Sequence, residues 1–344
     1  ENKLIIDIPV DCAVFRSGMS IRDFQIKENL YKPNFPYFPM KKSISLIILI
    51  IIVSLLLYVT KDIDFIQAYK SLENINLNYL ALAIISSFFM FFFWNLRMQS
   101  SLKVICKTGI FHNFLILISG VFFNTITPGA STGGEPVRAY FLSEKYHKPK
   151  SKFLGVILAD KFMHLLMFFT FFTFSLIFLL IFFSIPAQLE LLIIITLSIV
   201  ASMFLLILIF KRKLNYIYHL FLKLLYKLNY FNSRFNTFHS FKKYFGIKLK
   251  SIWKYFKSVF SSRKILYKGI LLSFLVWGFN FLTSYLLFLS FNSPINFTFI
   301  IVSVCVAHFI GDISLIPGGI GLMEGAMFLT YSSLGINLEI AALI

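Results

Sequence analysis

Apolar residues in this chain come in long, nearly unbroken runs. The runs lie at 44–59, 79–96, 162–183, 191–210, 266–291, 297–316 and 320–334, with a shorter one at 111–126. Several are 18 residues or longer without a charge, the length of helix that crosses a hydrocarbon core of about 30 Å. They are too long for buried strands, and backbone in lipid must satisfy its own hydrogen bonds, so helix is the element that fits. The pattern predicts an all-α polytopic membrane protein. It has about six spanning helices and two broken, re-entrant Pro-Gly segments that form an inverted repeat.

Composition agrees. Of 344 residues, 58% are hydrophobic and only 14% are charged, where a soluble domain would carry a more polar surface. Residues 1–40 are different: Asp7, Asp11, Arg16, Arg22, Asp23 and Glu28 are scattered through a mixed polar segment of unknown role, with no cleavable secretory signal. The chain opens on Glu1 and stops at Ile344 within an apolar stretch, so it reads as a partial frame with Met40 as a natural start. Residues 41–344 form the membrane domain. Cys12, Cys106 and Cys305 are too far apart in sequence to suggest a disulfide framework or a zinc site.

Charge orients the spans. Residues 211–264 hold 14 Lys and Arg and no Asp or Glu, out of a net charge of +18. Lys41 and Lys42 precede the first span, and Arg97, Lys103 and Lys107 follow the second, whereas the 61–78 and 185–190 connections are near neutral or lack a base. By the positive-inside rule the basic loops, including 211–264, are cytoplasmic and the chain is a multi-pass protein of the plasma membrane. The 111–126 segment has basic loops on both sides, so a hairpin that dips in and returns is expected there, with the polar stretch from Asn124 to Gly129 at its tip.

Within the basic loop, Lys250, Lys254 and Lys257 recur on one helical face and Ile252, Phe256 and Val259 on another, and 214–228 interleaves similarly. Such helices lie on an anionic leaflet with Trp253 at headgroup depth, although positive-inside topology alone also explains the sign of the charge. The partners expected are membrane lipids, with anionic headgroups at 211–264, and a second copy of the chain or a separate synthase. Nucleic acid is not expected for a loop tethered between two spans.

Two interruptions share a pattern. Pro128-Gly129 leads through Gly133 and Gly134 to Glu135, and Pro317-Gly318-Gly319 leads through Gly321 to Glu324, with Glu seven residues after Pro in both. Pro ends a helix and Gly permits positive φ and close backbone approach. A helix restarting after the glycines presents free N–H groups that suit an anionic headgroup, and paired broken segments are the sequence mark of a transport site. Simple kinks that serve packing are the alternative.

These residues resemble the flippase-like membrane region shared by lysylphosphatidylglycerol synthases and their stand-alone relatives. The family string of Pro, then Gly-Gly-Glu, two residues and Arg is matched by Pro128, Gly133, Gly134, Glu135 and Arg138. Its acid–Arg pair is matched by Asp160-Lys161, and its Pro-Gly-Gly, Gly, Glu string by Pro317, Gly318, Gly319, Gly321 and Glu324. Lys161 departs from the family's Arg and removes a bidentate fork for phosphate. The resemblance implies movement of a phospholipid, aminoacyl-lipid or polyprenyl-linked sugar between leaflets. The soluble aminoacyl-transfer domain is missing, which speaks against lysyl transfer by this polypeptide.

Ionisable residues in spans are functional hypotheses by default. Arg138 shares a face with Glu135 at i, i+3. Asp160 and His164, and His308 and Asp312, are spaced i, i+4, so each carboxylate is expected to pair or share a proton with its histidine. Either a proton-coupled step or plain hydrogen-bond satisfaction fits that spacing. No metal, cofactor, nucleophile–base constellation or nucleotide loop is expected. Against lipid translocation stands a membrane subunit or enzyme that modifies a lipid-linked glycan or envelope lipid, for which Glu135 and Asp160 are the candidate acid and base. A shared cavity for Glu135 and Glu324 is also expected.

Overall fold

Helices account for the regular structure of the described residues, and their lengths follow the apolar runs with one systematic difference. In this computed structural model the described residues are 72–127, 133–182, 190–191, 194–195, 197–198, 238–314, 316–336 and 338–343. The expected spans at 44–59 and, for the most part, 191–210, the 214–228 helix and Pro128 lie outside them.

The helices are α1 (Leu77–Leu102), α2 (Ile110–Ile126), α3 (Gly134–Tyr146), α4 (Lys150–Phe182), α5 (Phe238–Ser261), α6 (Arg263–Ser290), α7 (Phe297–Ile313), α8 (Leu322–Ser333) and α9 (Leu338–Leu343), with a 3₁₀ turn at Pro317–Gly319. Three of them, α1, α4 and α6, are long and apolar enough to cross a membrane, at 26, 33 and 28 residues. At 1.5 Å per residue they measure roughly 39, 50 and 42 Å, more than a hydrocarbon core needs. The excess is polar: α1 runs on through Arg97 to Leu102, and α4 starts at Lys150, twelve residues before its apolar run. Arg97, expected in a cytoplasmic loop, is therefore inside a helix and buried. A helix does not stop at a charge when a partner is at hand in the bundle.

α1 and α6 lie antiparallel along their whole length. The Asn76 N–H donates to Ser290 O at 2.8 Å near one end. Ser86 Oγ donates to Phe279 O at 3.0 Å in the middle, and the Arg97 guanidinium reaches Ser273 Oγ at 3.1 Å near the other end. One apolar core joins α4, α6, α7 and α8 around Phe172, Trp277, Phe281, Phe288 and Tyr331. A second joins α1 to α5 around Met98, Leu117, Leu142, Phe153, Ile157 and Val259.

α5 bears out the amphipathic spacing, and α4 covers its apolar face. The two helices run parallel over the first half of α4. Ser151 Oγ lies 3.1 Å from Ser251 Oγ, and Phe162 meets Phe256 and Phe260 edge-on. Gly155 makes this possible, since a Cβ there would stand 2.3 Å from Ile252 O. Lys250, Lys254, Lys257 and Trp253 remain exposed.

Candidate functional site

The buried charges gather where α1, α3, α4 and α6 meet. In α1 the apolar stretch before Arg97 covers residues 77–96, and in α4 the stretch after Lys161 covers 162–182. Each is about 30 Å of helix, one hydrocarbon thickness, so both charged ends come to the same edge of an apolar slab.

Arg97 and Asp160 form the inner pair. Nε donates to Oδ1 at 3.0 Å and Nη2 to Oδ2 at 3.2 Å, the two-pronged geometry that matches a guanidinium to a carboxylate. Their side chains are 1% and 2% exposed. Ser101 Oγ adds a longer contact to Oδ1 at 3.5 Å. The remaining Arg97 nitrogen, Nη1, faces Ser273 Oγ at 3.1 Å and His164 Nδ1 at 3.3 Å. A guanidinium has no acceptor, so Nδ1 is the acceptor and the ring hydrogen sits on Nε2. The expected Asp160–His164 pair is thus replaced: Asp160 takes the stronger, bidentate partner, and His164 caps that partner's spare nitrogen.

Glu135, in the first turn of α3, forms the outer group. Its Oε1 accepts from Arg138 Nη2 at 3.2 Å, as the i, i+3 spacing predicts, and from Lys161 Nζ at 2.9 Å. Glu135 and Arg138 are buried and Lys161 keeps 27% of its side chain exposed. Oε2 of Glu135 and Nε1 of Trp94 are buried with no hydrogen-bond partner among the described residues. Glu135 and Asp160, the acid and base an enzyme reading would need, are both held against cations.

An aromatic column runs beside the charges. The Arg138 guanidinium carbon stands 5.9 Å from the Trp94 ring. His164 stacks between Trp94, with ring centroids 6.0 Å apart, and Trp277, at 4.9 Å. Trp277 meets His308 edge-on at 5.1 Å. His308 Nε2 is 3.3 Å from Asn280 Nδ2, and Asp312, one turn further along α7, is exposed.

The two Pro-Gly motifs differ in construction. In the first, Gly134 is needed for close approach, because a Cβ there would stand 2.1 Å from Gly120 O. Its N–H donates to Asn124 Oδ1 at 2.6 Å, and neighbouring Gly133 has an ordinary φ of −71°. In the second, Gly318, Gly319 and Gly321 all have positive φ, at 63°, 67° and 82°, turning the chain between α7 and α8. The Gly321 N–H donates to Glu324 Oε2 at 2.7 Å. One N–H at each helix start is already taken: Asn124 accepts from the Gly134 N–H and Glu324 from the Gly321 N–H. Glu324 is exposed and spends a carboxylate oxygen on its own helix, unlike enclosed Glu135. The motifs do touch, because a Cβ on Gly318 would lie 3.0 Å from Thr125 O at the tip of α2.

Arg97, Trp94, Ser273 and Trp277 escape the sequence reading. Their only signal is a base and an indole near the end of an apolar run, which resembles an ordinary membrane boundary.

Comparison with known proteins gives consistent relatives. A UPF0104 membrane protein of Methanothermobacter thermautotrophicus is 24% identical over 265 residues, covering 77% of this chain and 78% of its own. A UPF0104 membrane protein of Pyrococcus horikoshii is 27% identical over 311 residues, covering 88% and 90%. One of Methanocaldococcus jannaschii is 31% identical over 136 residues, covering 38% and 39%. No solved structure gives a significant match. The description "lysylphosphatidylglycerol synthase TM region" matches residues 44–344, nearly all of the sequence, and the chain belongs to that family.

Proposed function

We propose that this chain moves an anionic, phosphate-bearing amphiphile between the leaflets of the cell membrane and holds its headgroup at Glu135, Arg138 and Lys161. The observation that carries the reading is an imbalance. Among the described residues, three bases, Arg97, Arg138 and Lys161, gather on two carboxylates, Glu135 and Asp160. A charge at the edge of an apolar slab is costly without a counter-ion, and a phosphate about 4 Å away at an effective dielectric of 20 offers roughly 4 kcal/mol of attraction. The spare Oε2 of Glu135 accepts a donor from the same headgroup, which a hydroxyl or an ammonium supplies. Phospholipids with a hydroxyl or amine headgroup, aminoacyl-lipids and polyprenyl-linked sugars combine these two features.

The path in this proposal uses α2–α3 as a re-entrant hairpin, with α7–α8 as its inverted counterpart. The equal Pro-to-Glu spacing and the contact of Gly318 with Thr125 support that pairing. Exposed lysines on α5 face an anionic cytoplasmic leaflet, in keeping with the sign of the 211–264 segment.

The test is leaflet exchange in reconstituted vesicles with a panel of labelled lipids. Glu135→Gln is expected to lose exchange and to destabilise the fold, because Arg138 and Lys161 lose their counter-ion. Adding Arg138→Gln restores stability but not exchange. Unchanged exchange by Glu135→Gln, for every lipid the parent chain moves, refutes the proposed headgroup site.

A further inference from the structure

A groove of about 330 Å³ lies between α4 and α5, walled by Leu158, Phe162 and Leu165 on one side and Trp253 and Phe256 on the other. Lys161 also lines it. That side chain therefore belongs to two places at once: its ammonium is 2.9 Å from Glu135 Oε1 in the ion cluster, and 27% of it stays exposed. Arg97 and Arg138, by contrast, are 1% and 4% exposed. Leu158 and Leu165 sit about one turn before and one turn after Lys161 on the same helix, so an apolar chain lying in the groove passes the ammonium.

Depth supports the same pairing. Lys161 is at the end of the apolar stretch of α4, the level at which a lipid's phosphate meets its tail, and Leu165 is roughly 6 Å deeper. An apolar wall interrupted by one cation matches a molecule that carries an anion at the head of a hydrocarbon chain. It matches neither hydrocarbon alone, which leaves the charge facing oil, nor a soluble phosphate, which leaves the walls facing water.

We infer that this groove seats the apolar tail of a phosphate-bearing lipid with its phosphate on Lys161, and is the lateral access from the bilayer to the Glu135 cluster. The inference rests on the lipid reading of that cluster and adds where the lipid arrives. Phosphate on Lys161 competes for the ammonium that Glu135 now holds, so arrival at the groove and rearrangement of the inner cluster are one event.

The experiment uses the full chain in phosphatidylcholine vesicles with a minor fraction of phosphatidylglycerol carrying a diazirine in its tail. After irradiation, labelled peptides are mapped by mass spectrometry. Labelling of residues 158–165 and 252–256 should exceed that of Phe174 and Ile181, equally lipid-accessible positions on α4 that are 67% exposed, by about fivefold, the ratio of one screened ion pair. Diazirine-tailed phosphatidylcholine should show a smaller preference. Lys161→Gln should erase the preference for the anionic lipid and Lys161→Arg should keep it, with elution as a folded species checked for both. Equal labelling of the groove and of Phe174 and Ile181 by the anionic lipid overturns the inference, as does cross-linking of the groove to a second copy in place of lipid. Selective groove labelling in vesicles where the parent chain exchanges no lipid supports the groove and retires translocation. Active exchange with uniform labelling does the reverse.

Discussion

The pair Arg97–Asp160 is the strongest statement the chain makes about itself at the scale of single residues. Both side chains are fully enclosed, so solvent does not screen them, and removing either one strands the other. Arg97→Gln or Asp160→Asn should each cost about 3–5 kcal/mol, and the double variant should cost clearly less than the sum. Chemical unfolding in detergent micelles measures that cycle, and strict additivity would show that the two do not act as a pair. The sequence made Glu135–Arg138 legible because both lie on one turn of one helix. Arg97 and Asp160 are 63 positions apart, and nothing local in either helix names the other. The Asp160–His164 spacing misled for a related reason. Proximity along a helix is a weak prior, and a guanidinium from a neighbouring helix binds a carboxylate better than an imidazole does.

At the scale of elements, the three-to-four residue rhythm of 244–260 announced an amphipathic helix, and α5 has its apolar face where that rhythm put it. What the rhythm could not say is what covers the face. The answer is in α4, where Gly155 lets the α5 backbone come into contact, and a lone glycine in a helix has no direction in sequence. The contact is directly testable. Ser151→Cys with Ser251→Cys should form a disulfide on mild oxidation, because the two hydroxyls stand 3.1 Å apart. Adding Gly155→Leu should abolish the cross-link by wedging the helices apart, and its persistence would refute the packing. The Pro-Gly strings teach the same limit. Identical spacing produced a close helix contact at Gly134 and a left-handed turn at Gly318–Gly319, because backbone conformation depends on what each glycine must pass.

For the whole molecule, the apolar runs and their lengths were enough to give a helical membrane protein, and the order of motifs gave the family. The register of α1 against α6 and the meeting of four helices at the charges depend on tertiary contacts that no run length encodes. One of those contacts has a consequence for biosynthesis. Arg97 leaves the ribosome well before Asp160 and earlier still than Ser273, so α1 meets the insertion machinery carrying a cation whose counter-ion does not yet exist. The 77–96 stretch already spans one hydrocarbon thickness, so α1 inserts with the Arg97 guanidinium in water at the slab edge until α4 brings its partner. Intermediates cut off after Lys148 should therefore leave the Arg97 end of α1 open to protease, whereas those reaching Phe182 should protect it. Replacing Asp160 by Ala in the longer intermediate should return it to the behaviour of the shorter one, making a single carboxylate the latch that closes the first part of the bundle.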